Sequence, residues 1–252
     1  MKGTALITGA ARRIGRAIAL ALADDGYDIA VHYGASRAEA EAVAAAIAGK
    51  GRRTALLSAD LARESETLGL LGTAAQALGP VTCLVNNASQ FERDEALTVT
   101  RMSWDAHMET NLRAPFVLMQ EFARALPAET SGNIVNILDE RVWSLTPHFV
   151  SYTLSKAGLW TLTQAMALAL APRIRVNAIG PGPTLPSPRQ SEAQFARQQA
   201  SMPLRRGATP EEIGDAVRFI LASPSLTGQM IALDGGQHLG WAQPGGAAPS
   251  NE

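Results

Sequence analysis

TALITGAARRIGRAIALALA, residues 4–23, decides the fold. It opens as a short apolar run, passes through a turn holding Gly9 and Gly15, and continues as an Ala/Leu-rich helical pattern. Glycine has no Cβ, so a ligand can approach the backbone closely there. The first helical turn presents N–H groups with no partner inside the helix, at the positive end of its dipole. A strand, a glycine turn and a helix N-terminus in that order form a phosphate cradle. The residues that would build it are Gly9, Arg12, Arg13, Ile14 and Gly15.

The same rhythm runs outward along the chain. Strand-like apolar runs occur at Thr4–Thr8, Asp28–Val31, Ala55–Ser58, Cys83–Asn86, Ile134–Leu138, Val176–Ile179 and Met230–Leu233. Helical patterns lie between most of them, at Arg16–Ala23, Arg37–Gly49, Glu64–Ala77, Met102–Leu126, Val150–Ala171 and Pro210–Leu221. This alternation predicts a single-domain α/β Rossmann fold: a doubly wound, parallel seven-stranded sheet with helices on both faces. The strands lack strict alternation of apolar and polar residues, as expected when both faces are buried. The domain is read as residues 1–240. Residues 241–252 (WAQPGGAAPSNE) are Pro/Gly/Ala-rich and predict a disordered tail. The irregular stretch Thr184–Arg206 is read as a substrate lid.

Composition narrows the function. The 252 residues are 46% hydrophobic and carry a net charge of −1, so nothing marks a nucleic-acid partner or an anionic membrane surface. The single Cys83 excludes an internal disulfide and fits a reducing compartment. Met1-Lys2 leads directly into a strand pattern, and no apolar run reaches membrane-spanning length. A cytoplasmic protein acting on a small molecule is the expectation. His107 and His148 have no companions at metal-ligand spacing, and no metal is expected.

A dinucleotide site that takes NAD places an acidic residue near the end of the second strand, on the ribose 2′-hydroxyl. Here that region reads His32-Tyr33-Gly34-Ala35-Ser36-Arg37, with no Asp or Glu. Ser36 and Arg37, with Arg12 or Arg13 nearby, suit a 2′-phosphate, because guanidinium gives charged, paired hydrogen bonds. The cofactor expected is therefore NADP(H).

Within the helical pattern Val150–Ala171, Tyr152 and Lys156 fall one turn apart on the same face. A free phenol, with a pKa of ~10, is a poor proton donor near neutrality, and a neighbouring cation lowers that value. The pair is thus a candidate acid for a reduction.

Together these motifs resemble the short-chain dehydrogenase/reductase family over residues 3 to about 239. In family order come the glycine turn, Asp60-Leu61 after the third strand, Asn86-Asn87-Ala88 after the fourth, and Asn111 in the long helix. Tyr152 with Lys156, Gly180-Pro181-Gly182 and Asp234-Gly235-Gly236 complete the set. The resemblance implies adenine contact at Asp60, with Leu61 beside it, and nicotinamide-ribose binding by Lys156. It further implies a water-mediated proton relay through Asn111. Asn87, Ala88, Ser89, Pro181 and Gly182 would complete the cofactor site, with His32 and Tyr33 at its adenosine end.

Three departures resemble the pteridine reductase branch of that family. Arg13 stands where a glycine is usual, and Ser89 replaces the glycine after Asn-Asn-Ala. Asp139 takes the position thirteen residues before the tyrosine, where the family carries its serine. The branch resemblance implies that Phe91 stacks on the substrate ring, that Arg13 and Ser89 reach the site, and that Phe149 is a second aromatic there. Chemistry supports part of this independently. An ionised aspartate only accepts hydrogen bonds, so Asp139 suits orienting Tyr152 or holding an N–H-rich heterocycle better than polarising a carbonyl. The expected reaction is NADPH-dependent reduction of a pteridine C=N bond, with Tyr152 as proton donor. The alternatives are a carbonyl reductase acting on a 3-oxoacyl thioester or small ketone, and a catalytically weak NADPH-binding regulator. Family members pair their long helices, so a homotetramer or homodimer is implied.

Overall fold

In the computed structural model, which describes residues 2–240, each strand of the sheet is short, and the strands inside the sheet are almost wholly buried while the two edge strands are half-buried. The strands are β1 (Thr4–Ile7), β2 (Asp28–Tyr33), β3 (Thr54–Ser58), β4 (Val81–Asn86), β5 (Gly132–Ile137), β6 (Ile174–Pro181) and β7 (Met230–Leu233). They form one seven-stranded sheet in the order β3-β2-β1-β4-β5-β6-β7, every pair parallel. Alternate residues of a strand point to opposite faces. Accordingly Ala5, Ile7, Ile29, Val31, Cys83 and Val85 join the core on one face, while Leu6, Ala30 and Leu84 join the core on the other.

Helices α1 (Arg13–Asp24) and α2 (Arg37–Ala48) cover the first face, where Ile18, Leu22, Val43 and Ile47 are buried. The expected helix over 64–77 is two: α3 (Glu64–Leu68) and α4 (Leu70–Leu78), meeting at Gly69. The expected helix over 102–126 is interrupted too. Between α5 (Arg101–Met108) and α6 (Ala114–Ala125), Glu109–Arg113 form a π-helical turn around Asn111. Such turns add a residue to the helix and cluster at functional sites. Helix α7 (Val150–Leu170) runs as predicted and, with α4 and α6, covers the second face through Leu71, Leu118, Phe122 and Leu159. Two further helices follow, α8 (Glu192–Ala200) inside the irregular stretch and α9 (Pro210–Ala222), which buries Ile213, Val217 and Ile220 beside α1. The predicted tail, 241–252, lies outside the described residues.

Order reverses at β1, which pairs with β2 on one side and β4 on the other. In an open parallel sheet such a reversal leaves a crevice beyond the carboxyl ends of the strands. Among the described residues, no helix is long and apolar enough to cross a membrane, and no His, Cys, Asp and Glu group is placed to hold a metal.

Candidate active site

The crevice is built from Thr8 outward. Its hydroxyl oxygen accepts the backbone N–H of Asn87 (2.9 Å) and of Ala88 (3.0 Å). The Asn87 amide donates back to the carbonyls of Thr8 (2.8 Å) and Gly9 (3.3 Å), so the ends of β1 and β4 are fastened together. Gly9 is left-handed (φ +64°), and a Cβ on Gly15 would lie 2.2 Å from the Gly9 carbonyl. Only glycine fits there. The Gly9 N–H donates to His32 Nδ1 (3.1 Å), which leaves Nε2–H to donate to the Ala59 carbonyl (3.1 Å). Burial keeps that imidazole below its ordinary pKa, so His32 is a neutral brace.

A cleft of about 770 Å³ opens here. Gly9, Arg12, Arg13, Ile14 and Gly15 line it from the turn, and His32, Tyr33 and Ser36 from the end of β2. Asp60 and Leu61 close one side, and Asn87, Ala88 and Ser89 the other. Arg37 lies outside this lining: its Nε donates to Glu41 (2.9 Å) one turn along α2. Arg13 stands in the left-handed region (φ 52°), a conformation costly for a side-chain-bearing residue. Its guanidinium donates to the carbonyls of Pro186 (3.0 Å) and Leu185 (3.2 Å), reaching across the crevice to the segment after β6.

A second cavity, of about 250 Å³, shares Arg13, Ile14, Asn87 and Ser89 with the first. Asp139, Tyr152, Lys156, Phe91, Pro181 and Gly182 also line it. Tyr152 donates its hydroxyl to Asp139 Oδ2 at 2.7 Å. Lys156 Nζ donates to the Ile137 carbonyl (2.8 Å) and lies 5.8 Å from the centre of the Tyr152 ring.

The electrostatics correct one expectation. Lys156 does not lower the Tyr152 pKa below its ordinary value. Burial, then the Asp139 charge, pushes the phenol well above 10, with Arg141 opposing. Burial also pushes the lysine down to about 8, against the pull of Asp139. The resting site therefore holds a neutral phenol that donates to a carboxylate. Asp139 Oδ1 meanwhile accepts the Arg141 backbone N–H (3.0 Å) and caps a short 3₁₀ turn, Glu140–Val142.

Asn111 lies in neither cavity lining. Its side chain accepts from Gln90 N–H (2.8 Å) and from Ser89 Oγ (3.2 Å), and donates to the Gln90 carbonyl (2.9 Å) and Ser155 Oγ (3.0 Å). It clamps the loop that carries Ser89 and Phe91. Phe91 stacks on Phe149 (centroids 4.6 Å apart, 9° between planes) and meets Tyr152 edge-on at 4.6 Å. Phe149 is fully buried with a left-handed backbone (φ 58°) just before α7; unlike Phe91, it does not line the smaller cavity.

Sequence reading missed a buried relay next to these rings. Asp94 accepts the Ser151 backbone N–H (3.1 Å) and, through its other oxygen, the Ser151 hydroxyl. His107 Nε2 accepts the Glu92 N–H (3.0 Å), so its Nδ1–H donates to Ser151 Oγ (2.6 Å). Helix α7 has no side-chain cap of its own. Asp94 supplies one from a loop 57 residues earlier, and so ties the stretch that carries Phe91 to the start of the Tyr152 helix. No local pattern announces a contact of that range. Arg189 was also missed: it donates to the Phe91 carbonyl (2.9 Å) and pairs with Glu92 (3.0 Å).

Parallel sheet, reversal-point crevice and Tyr–Lys pair together define a dinucleotide-dependent oxidoreductase of the short-chain type. A family model described as enoyl-(acyl carrier protein) reductase matches residues 9–238. A 3-oxoacyl-[acyl-carrier-protein] reductase of Staphylococcus epidermidis is 32% identical over 244 residues, covering 95% of this chain and 100% of the relative. A short-chain type dehydrogenase/reductase of Picea abies is 31% identical over 248 residues, covering 92% and 91%. The chain belongs to the short-chain dehydrogenase/reductase family. Among solved structures, FolM alternative dihydrofolate reductase 1 of Brucella suis, in complex with NADP, is 48% identical with a TM-score of 0.92, covering 96% of this chain and 97% of that one. A blue fluorescent protein from a metagenomic library, in complex with NADPH, is 32% identical with a TM-score of 0.86, covering 93% and 97%.

Proposed function

We propose that the protein is an NADPH-dependent reductase of a dihydropteridine, adding hydride to a ring C=N bond. The observation that carries the reading is Asp139: a carboxylate accepts the Tyr152 hydroxyl where a carbonyl reductase uses a neutral donor. Phe91 beside it offers a face for a flat ring. The 48% identity to an alternative dihydrofolate reductase supports the same substrate class.

The residues fit the cofactor. The glycine turn leaves no room for a Cβ, and its backbone opens on the larger cleft. No acid stands at the end of β2, while Ser36 and Arg12 line the cleft there, which favours a 2′-phosphate. Bound NADPH supplies the hydride. Gly9, Arg12, Ile14, Gly15 and Ser36 would hold its phosphates, with His32 and Tyr33 beside them. Asp60, Leu61, Asn87 and Ala88 would flank its adenine and ribose, and Lys156, Pro181 and Gly182 the nicotinamide end.

The chain's own groups then manage the proton. Tyr152, neutral at rest, donates to the substrate nitrogen as negative charge develops there. Asp139 orients that hydroxyl and can accept a ring N–H. Lys156, with a pKa brought to about 8, replaces the proton lost by Tyr152. Phe91 and Ser89 position the ring, with Phe149 backing Phe91 and Asn111 holding the loop. The segment 184–206 acts as a lid, drawn over the site by Arg13 and Arg189.

The 32% identity to a 3-oxoacyl thioester reductase favours a second reading, carbonyl reduction. NADPH oxidation measured with a dihydropteridine beside an acetoacetyl thioester separates the two. Turnover of the dihydropteridine is expected; turnover of the thioester alone overturns the pteridine reading.

A further inference from the structure

Arg141 is an anomaly in the smaller cavity. It is 7% exposed, yet its Nε and Nη1 have no hydrogen-bond partner among the described residues, and no carboxylate lies within ion-pairing distance of its guanidinium there. Two aromatic rings face this cation, but they leave its Nε and Nη1 donors unmet, and buried donors of a charged group without acceptors are unfavourable, so its retention calls for a role. Neighbouring groups do not satisfy it. Asp139 spends one oxygen on Tyr152 and the other on the Arg141 backbone. Glu140 has its own unpartnered Oε2, and burial, then the Asp139 charge, holds it toward the neutral acid. Two other arginines that approach the same rings are already engaged, Arg189 with Glu92 (3.0 Å) and Arg93 with Glu95 (2.8 Å).

Its position is specific. Arg141 lines the cavity with Tyr152 and Asp139, and its guanidinium carbon sits 5.4 Å from the Phe91 ring centre and 4.9 Å from that of Phe149. A flat substrate on Phe91 would therefore bring its edge to this guanidinium. Arginine is donor-only, and its planar fork matches an oxygen with free lone pairs.

We propose that Arg141 anchors an acceptor oxygen of the substrate, either the oxo group of the ring or a carboxylate of its side chain. The assignment rests on the pteridine reading above. It makes Arg141 a specificity residue distinct from the proton-transfer groups, with donors held unpaired beside the two rings for the substrate to meet.

The test uses the wild-type protein, Arg141→Met and Arg141→Lys. Steady-state kinetics are measured with dihydrobiopterin, which has the ring oxygen and no carboxylate, and with dihydrofolate, which has both. The inhibition constant of 2,4-diaminopteridine, which has no acceptor oxygen, is measured beside them, with NADPH affinity and melting temperature. Arg141→Met is expected to lower kcat/KM about tenfold to a hundredfold, the range for a charge-assisted hydrogen bond, with KM carrying the loss. Arg141→Lys should recover part of it. The diamino inhibitor and NADPH should bind within twofold of wild type, and the melting temperature should hold or rise. A loss with both substrates supports the ring oxygen; a loss with dihydrofolate alone supports the carboxylate. Unchanged KM for both compounds, or a diamino inhibition constant rising in step with KM, overturns the assignment. Wild-type protein that turns over neither compound overturns the pteridine reading, and Arg141's role with it.

Discussion

Asp139→Asn isolates the field that acts on the Tyr152 hydroxyl. In the folded protein the Tyr152 hydroxyl donates to a carboxylate 2.7 Å away, so ionising the phenol places two negative charges in contact and breaks a charge-assisted hydrogen bond. That bond alone is worth ~1.5–3 kcal/mol. Like charges ~4 Å apart at an effective dielectric of 20 repel by roughly 4 kcal/mol. Removing the charge should therefore ease ionisation of the phenol by an energy on this scale and bring the Tyr152 midpoint down toward the ordinary value. Burial remains, so the phenol stays less acidic than a free tyrosine. The chain has only three tyrosines, and burial pushes Tyr27 up to about 12, so the tyrosinate absorbance is simple to resolve. The assay is a pH jump read before unfolding, with Tyr152→Phe and Asp139→Asn/Tyr152→Phe proteins as blanks. An Asp139→Asn midpoint equal to wild type, or above it, would refute the claim that Asp139 holds the phenol neutral.

The remaining predictions concern neighbouring groups. Tyr152→Phe should lower turnover by roughly 10²–10⁴-fold while NADPH affinity, followed by fluorescence, stays at the wild-type value; undiminished turnover removes Tyr152 as the acid. Glu140 carries a folded pKa raised to about 8 from 4.5, chiefly by burial. Its contribution to stability is fully present below about 4.5 and is lost as pH rises toward about 8. Melting temperature should therefore fall across that window in wild type and fall less in Glu140→Gln; parallel curves would show that Glu140 does not titrate there. Lys156 has the opposite sign. Its folded pKa is depressed from 10.5 to about 8, so its contribution is present above 10.5 and lost as pH falls through about 8. Lys156→Met should remove that gain, so its melting temperature, relative to wild type, should fall between about pH 8 and 10.5; a constant difference across that window would show that Lys156 does not titrate there. Ser151→Ala leaves Asp94 and His107 buried without their shared hydroxyl, a loss of ~1–3 kcal/mol. That should lower the melting temperature by a few degrees and raise KM for the ring substrate through Phe91; no change in either would empty the relay of meaning.

Parallel strands were legible because burial on both faces demands continuous apolar runs, and seven such runs are what the sheet contains. Helix continuity was less legible. An extra residue in the π-turn at Asn111 leaves the apolar pattern unbroken, and Gly69 ends α3 without interrupting the Ala/Leu composition of α4. Within the site, Tyr152, Lys156 and Asp139 could be found because fixed spacings place them along one helix and one strand end. The sign of the Tyr152 shift could not, because it depends on burial and on a carboxylate brought in from β5. Arg141 gave no signal at all: an arginine beside an acid reads as surface until its burial is known.

The borrowed cap of α7 has an evolutionary consequence. The loop from Asn87 to Val99 carries Phe91, the aromatic face proposed for the substrate, and, through Asp94, caps the start of the helix bearing Tyr152 and Lys156. One short stretch thus answers to two selections, ligand preference and integrity of the catalytic helix. Variation that retunes substrate choice should meet less resistance in the segment between Thr184 and Arg206 outside Arg189, because Arg13 holds that segment through the carbonyls of Leu185 and Pro186, which tolerate a change of side chain. Divergence between close relatives should concentrate there, while Asp94, Ser151 and His107 change together or not at all.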